Sequence, residues 1–296
     1  MATISEDQLA GWTGPSSATE EEKQTRTEKM IREAISAHDA FQGASYSVYA
    51  KGSYANNTNV RSDSDVDIAV ECTEVIYIDD KDPNENHSGS PYTGIWTPAY
   101  LRSQVEAALR AQFPGAVDSS GSTALRVNSN TVRVDADVVP CFHLIEYFAG
   151  GCTREGTRVF KKSGGFTENY SKLQLRNGTN KNKRTSTYYK KTVRILKRLE
   201  NSMVAAGVCN ELPSYLMECL IYNCPDEYFG RTTWRGVMQG CLAHIFNHTL
   251  GAEPTVESER WLEVNDAKYL FFTSQKWTRE QVHVFAGTAW TYMGFE

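Results

Sequence analysis

No run in the sequence approaches the roughly 20 consecutive apolar residues that a membrane helix needs, and residues 1–13 lack the basic-then-apolar pattern of a secretory signal. Those absences point to a soluble, cytoplasmic protein. No C-x-x-C pair occurs and the seven cysteines are odd in number, which fits a reducing compartment rather than a disulfide framework. There is no G-x-x-x-x-G-K-[ST] phosphate loop. Internal repeats and low-complexity linkers are missing too, and no Ser-His-Asp arrangement is readable.

What is present is ordinary in bulk and uneven in detail. The 296 residues, 40% hydrophobic and 23% charged, suffice for one large domain or for two packed lobes, each with a real core. Net charge is −5, yet residues 169–199 hold ten Lys and Arg and no acid. An acidic chain that concentrates cations in one segment is expected to present them to a local anion, such as a small polyphosphate rather than a duplex. A solvated helix face is the plainer alternative.

Residues 1–20 are polar and are expected to wrap loosely over the surface. Helical spacing of Met30, Ile31, Ala34 and Ile35 predicts a helix over about 19–37. Residues 46–50 read as a strand, followed by a turn at Gly52-Ser53. Val66, Ile68, Val70 and Cys72 alternate with Asp65, Asp67, Ala69 and Glu71, which defines the next strand. Residues 79–94 read as a loop, and Thr97-Pro98 as a helix start. Strands over 123–128 and 131–139 follow, joined at Asn128-Ser129-Asn130. Beyond about residue 176 the pattern is helical. Tyr189, Val193, Leu196 and Leu199 mark one helix, Pro213 opens another, and residues 234–250 form a third. The expected division is an α/β lobe over 1–175 and a helical lobe over 176–296.

The chemistry concentrates in carboxylates. Period-two geometry puts Asp65 and Asp67 on one face of one strand, while Val66 and Ile68 face a core. Paired anions are costly there unless a divalent cation joins them. A third carboxylate on a neighbouring strand completes a two-metal phosphoryl-transfer site. Asp135 and Asp137 share a face and both qualify, whereas Asp63 falls in the loop before the strand. Mg²⁺ suits such an all-oxygen site, with Mn²⁺ able to substitute. Cys241, His244 and His248 share a helix face at metal-ligand spacing, with Cys219 and Cys224 nearby, but packing is the commoner use of such residues.

The run Gly52-Ser53-Tyr54-Ala55-Asn56-Asn57-Thr58 leading to Ser64-Asp65-Val66-Asp67 resembles the signature of polymerase-β-like nucleotidyltransferases. It is most similar to the bacterial cGAS/DncV-like enzymes (CD-NTases). Asp137-Val138-Val139-Pro140-Cys141-Phe142 resembles the family's D-V-x-P-A-F strand, which selects Asp137 as third metal ligand. The helix around Val193-Arg194-Ile195-Leu196-Lys197 resembles the one whose lysine contacts the donor triphosphate. Leu212-Pro213-Ser214-Tyr215 resembles the motif supplying a phosphate-binding residue, Ser214, and a base-stacking tyrosine, Tyr215. Residues 169–183 resemble the CdnE-like clade, with Ser171 and Gln174 in place of its Pro and His. Asn177 and Asn182 are then candidates for reading a pyrimidine edge, and capping of the following helix is the alternative use of either.

The resemblance implies an α+β fold. A mixed sheet flanked by helices, the nucleotidyltransferase core, packs on a helical carboxy-terminal lobe with the active site in the cleft between. Gly52, Ser53, Lys197, Ser214 and Tyr215 are the implied nucleotide-binding residues, and Asp65, Asp67 and Asp137 the catalytic metal ligands. The implied activity is synthesis of a cyclic dinucleotide in anti-phage signalling, from two of ATP, UTP, GTP and CTP. The downstream effector would sense the product without touching the enzyme, and no nucleic acid is required. A linear-oligonucleotide synthase, an NMP transferase to RNA or protein, and an inactive nucleotide-binding subunit are the alternatives.

Overall fold

A computed structural model describes residues 4–15, 17–60, 65–82, 84, 86–87 and 89–296; Asp63 and Ser64 lie outside them. In chain order its elements are α1 (Glu6–Gly11), α2 (Ala18–Ala37), β1 (Tyr46–Lys51), α3 (Gly52–Ala55), β2 (Val66–Asp80), α4 (Pro98–Gln112), β3 (Val117–Asp118), β4 (Leu125–Val127), β5 (Ala136–Phe148), β6 (Cys152–Phe160), β7 (Phe166–Asn169), α5 (Ser171–Arg184), α6 (Tyr188–Ala205), α7 (Ser214–Tyr222), α8 (Trp234–Thr249) and α9 (Arg279–Tyr292). Contacts group them into a sheet unit, Ser17–Ala55 with Arg61–Lys172, and a helical unit, Met1–Ser16 with Asn56–Val60 and Leu173–Glu296.

In the sheet unit, β2 lies antiparallel to β1 and parallel to β5. β4 runs antiparallel to the first half of β5, and β6 to its second half. The sheet is mixed, as an α+β core requires. Val66, Ile68 and Val70 of β2 are buried with Ile31 and Ile35 of α2 and Leu101, Val105 and Leu109 of α4. Each such side chain contributes about 1.5–3 kcal/mol of burial. A one-residue slip of β2 would put Asp67 into that core, so the hydrophobic face also fixes where the carboxylates point.

Helix starts follow local chemistry. Ser17 and Glu20 form a reciprocal capping box at α2, and Thr97 with Pro98 opens α4. The segment before β5 departs from expectation, because the strand begins at Ala136 rather than near residue 131. Asn130 Oδ1 takes the N–H groups of Val132 (2.9 Å) and Arg133 (3.0 Å), and Asp135 Oδ1 takes that of Ser129. Those amides are satisfied locally and do not enter a ladder.

The helical unit buries Tyr189, Val193, Leu196 and Leu199 of α6 with Leu216 and Leu220 of α7, Val237 of α8 and Phe285 of α9. Residues 4–15 are no loose wrap. Ser5 caps α1, Ile4 and Leu9 enter this core, and the Glu6 carboxylate accepts from the Trp234 and Arg235 N–H groups at the start of α8. No described helix is long and apolar enough to cross a membrane.

Candidate active site

One transverse row of side chains dominates the sheet face opposite the core. Lys51 pairs in register with Asp67, Asp67 with Asp137, and Asp137 with Arg126, so β1, β2, β5 and β4 line up cation, anion, anion, cation. Lys51 Nζ lies 3.4 Å from Asp67 Oδ1. The Arg126 guanidinium lies 3.1 Å from Asp65, 2.7 Å from Asp135 and 3.9 Å from Asp137. Asp65 immediately precedes β2, and the Val66 N–H donates to the Asp135 carbonyl. The three expected ligands therefore do gather on one patch, and Asp135 joins them through Arg126.

The patch carries an excess of negative charge. Burial raises the Asp137 pKa above the ordinary carboxylate value, and repulsion from Asp65 and Asp67 adds to it. Burial likewise raises Asp65; Arg126 opposes this and Asp135 adds to it. Asp135 is held low despite its own burial, because the Ser129 N–H and Arg126 outweigh that cost. Half-buried carboxylates that repel one another are a donor set suited to a divalent cation, so the residues fit the metal the acidic triad implies.

Gly52 explains how Asp67 keeps its place. Its φ is +70°, and a methyl group there would run into the Asp67 Oδ2 atom. Glycine alone serves both the left-handed backbone and the close approach. Gly52→Ala is expected to lower turnover about a hundredfold by displacing Asp67. Initial rates compared with a melting curve would separate this from simple unfolding. Ser53 follows in the single helical turn α3.

Among the described residues, a different trio has ligand oxygens within 4.8 Å of one another: Asp79, Glu146 and Glu168. Lys81 already bridges Asp79 and Glu146, Arg154 adjoins Glu146 and Arg158 binds Glu168. That cluster is a neutralised ion network. Cys241 is buried in the helical core, while His244 and His248 stack with Trp261. The His244 imidazole is pushed down to about 4 by burial and by His248.

The residues expected to touch nucleotide from the helical unit fare unevenly. Ser214 is the exposed first residue of α7. The Tyr215 hydroxyl donates to Glu263 (3.2 Å), which fixes its half-buried ring. Lys197 is 2% exposed, with Nζ 3.5 Å from Thr58 Oγ1. Burial lowers its pKa and nearby Glu218 opposes this. Its ammonium is an interior group of the helical unit. Asn182 Oδ1 accepts from the Lys190 N–H in the first turn of α6, and so acts as a helix cap. Asn177 Nδ2 donates to Val264 O and Asp266 Oδ2.

The basic segment also reads differently in three dimensions. Lys172 binds Glu71, while Lys181 and Arg184 bind Asp226. Arg194 donates to the carbonyls of Thr13 and Asn57, and Arg198 to those of Trp12, Gly14 and Pro15. With Lys197, six of those ten cations thus serve internal partners. Sequence reasoning missed Arg126 and Lys51 altogether. The alternation Leu125-Arg126-Val127 exposes which face Arg126 takes, but its register against Asp137 has no local signal.

Comparison with known proteins places this geometry. Residues 176–294 match the cGAS/DncV-like nucleotidyltransferase C-terminal helical domain. The chain is 37% identical to a Legionella pneumophila protein named cyclic dipyrimidine nucleotide synthase CdnE, over 95% of each chain. It is 33% identical to a protein of the same name from Cecembia lonarensis, over 100% of each. The solved Rhodothermus marinus CdnE c-UMP-AMP synthase, with Apcpp and Upnpp, superimposes with a TM-score of 0.84 at 27% identity, covering 99% of this chain and 98% of that one. Identity sustained over the full length, on a sheet that carries its acids in register, shows that this chain belongs to the cGAS/DncV-like (CD-NTase) family and is a nucleotidyltransferase.

Proposed function

We propose that this enzyme joins two nucleoside triphosphates into a cyclic dinucleotide in bacterial anti-phage signalling, taking a pyrimidine, UTP, as at least one substrate. The observation that carries this reading is the row Lys51, Asp67, Asp137, Arg126 beside Asp65, in a chain so similar along its length to a cyclic dipyrimidine nucleotide synthase. Asp65, Asp67 and Asp137 are assigned as ligands of two Mg²⁺ ions, with Mn²⁺ able to substitute; when bound, these activate a ribose hydroxyl and neutralise the leaving pyrophosphate.

The chain's own residues do the positioning. β2 and β5, paired at Asp67 and Asp137, hold those two carboxylates at fixed separation. Gly52 keeps Asp67 in line, and Ser53 offers a hydroxyl to phosphate. Ser214 is assigned to phosphate as well, and the ring of Tyr215 to base stacking. Lys197 of α6 is assigned to the donor triphosphate, with half-buried Lys190, two turns before it on the same helix, as a second cation for that role. Asn177 is retained as base reader through Oδ1, which can accept from a uracil N3–H. The work is done in the cytoplasm without nucleic acid, and the released product carries the signal to its effector.

The test is incubation with Mg²⁺ and labelled NTPs, then phosphatase and separation of products. A resistant product, lost in Asp65→Ala and lost again when UTP is omitted, is the expected result. A product that phosphatase trims of terminal phosphates would favour a linear oligonucleotide, and an untrimmed product made from purines alone would overturn the pyrimidine assignment.

A further inference from the structure

Arg126 stands where the metal chemistry should begin. Its guanidinium reaches three carboxylates, Asp65 at 3.1 Å, Asp135 at 2.7 Å and Asp137 at 3.9 Å, and two of these are assigned metal ligands. The fork is divided between them. Nη2 bonds to Asp135 and more distantly to Asp65, while Nη1 faces Asp65 and Asp137. Asp135 is meanwhile pinned by the Ser129 N–H, which keeps it in the loop before β5. Register places Arg126 directly across from Asp137, on a strand only three residues long. The arm is thus built into the sheet, and is 40% exposed at its side chain. It can withdraw toward solvent without unfolding anything.

We infer that Arg126 is the resident counter-ion of the metal-free centre, competing with divalent cations for Asp65 and Asp137 and retreating onto Asp135 when they bind. This rests on the assignment of those aspartates as metal ligands. A guanidinium and a divalent ion cannot occupy the same space between two carboxylates, so each loading event breaks the Arg126–Asp65 pair. The free protein consequently holds metal weakly. A cation that arrives chelated to a triphosphate brings extra ligands of its own and prevails over the arm, so metal and nucleotide load together. Arg126 is in this sense a positioning residue that keeps an empty centre from retaining metal alone.

Mn²⁺ binding without nucleotide, followed through the paramagnetic signal of the free ion, tests this with several variants. Arg126→Gln is expected to tighten Mn²⁺ binding about tenfold or more, because a full positive charge leaves the immediate neighbourhood of the ion. Arg126→Lys keeps the charge but loses the fork, and should tighten binding several-fold. Affinity unchanged in Arg126→Gln, while Asp137→Asn still loses Mn²⁺, would overturn the inference and leave the metal assignment standing. A tighter Arg126→Gln with an Arg126→Lys indistinguishable from the parent would overturn it too, by tracing the effect to net charge. If Asp65→Asn and Asp137→Asn both bind Mn²⁺ like the parent protein, the metal assignment itself fails. Melting curves on each variant establish that the compared proteins are folded.

Discussion

Asp137→Asn protein is expected to form product at least about a thousandfold more slowly than the parent, yet to melt at a higher temperature when divalent ions are chelated. The first half follows from removing the charge of a carboxylate assigned as a metal ligand in phosphoryl transfer, where such stabilisation is worth several kcal/mol. The second half follows from the sign of the pKa shift. Folding raises the Asp137 pKa, chiefly through burial and then through Asp65 and Asp67. Its ionised form therefore weakens the metal-free fold at neutral pH, and the penalty fades as pH falls through the raised value. Asparagine keeps the shape and cannot ionise. Initial rates and thermal melts in EDTA on one preparation check both halves. A variant that is merely misfolded would lose activity and melting temperature together.

Glu218→Ala should cost about 3–5 kcal/mol of stability, read from denaturant unfolding. This carboxylate is 1% exposed, with Asn56 Nδ2 and Thr58 Oγ1 (2.8 Å) donating to its two oxygens and Gln174 Nε2 donating at 3.1 Å. Lys197, equally buried, has it as the leading opposing influence on its lowered pKa. Truncation strands that ammonium and leaves Asn56 and Thr58 without their acceptor. The double variant Glu218→Gln with Lys197→Met is expected to recover roughly half of the loss, since it removes both charges and keeps a polar acceptor. Additive single effects would show that the two charges do not share one network.

Much of this was written in short-range pattern. The alternation from Asp65 to Cys72 announced β2 and its two faces, and Thr97-Pro98 announced the start of α4. Those signals depend on neighbours two to four residues away. What depends on distant partners stayed hidden. β5 runs on to Phe148 because β6 pairs with its second half, and neither β6, β7 nor α9 was expected. The Lys197 motif was legible, but not its burial, which is set by the Asn56–Val60 segment joining the helical unit. That Asn182 accepts from the Lys190 N–H, eight residues on, had no local signal either. The sharpest example is Arg126, whose face was readable and whose three acidic partners were not.

The arginines of α6 grip the amino-terminal segment by its peptide carbonyls, not by its side chains. Every residue type offers the same carbonyl, so these bonds give selection little hold on which amino acids occupy positions 13–15, whereas Trp12 also packs against the helical core. It has a firm hold on Arg194 and Arg198, whose forked donors no other side chain reproduces. In a saturation library the two ends of these hydrogen bonds should behave as opposites. Positions 13–15 would accept broad replacement and drift between lineages, while the two gripping positions stay fixed.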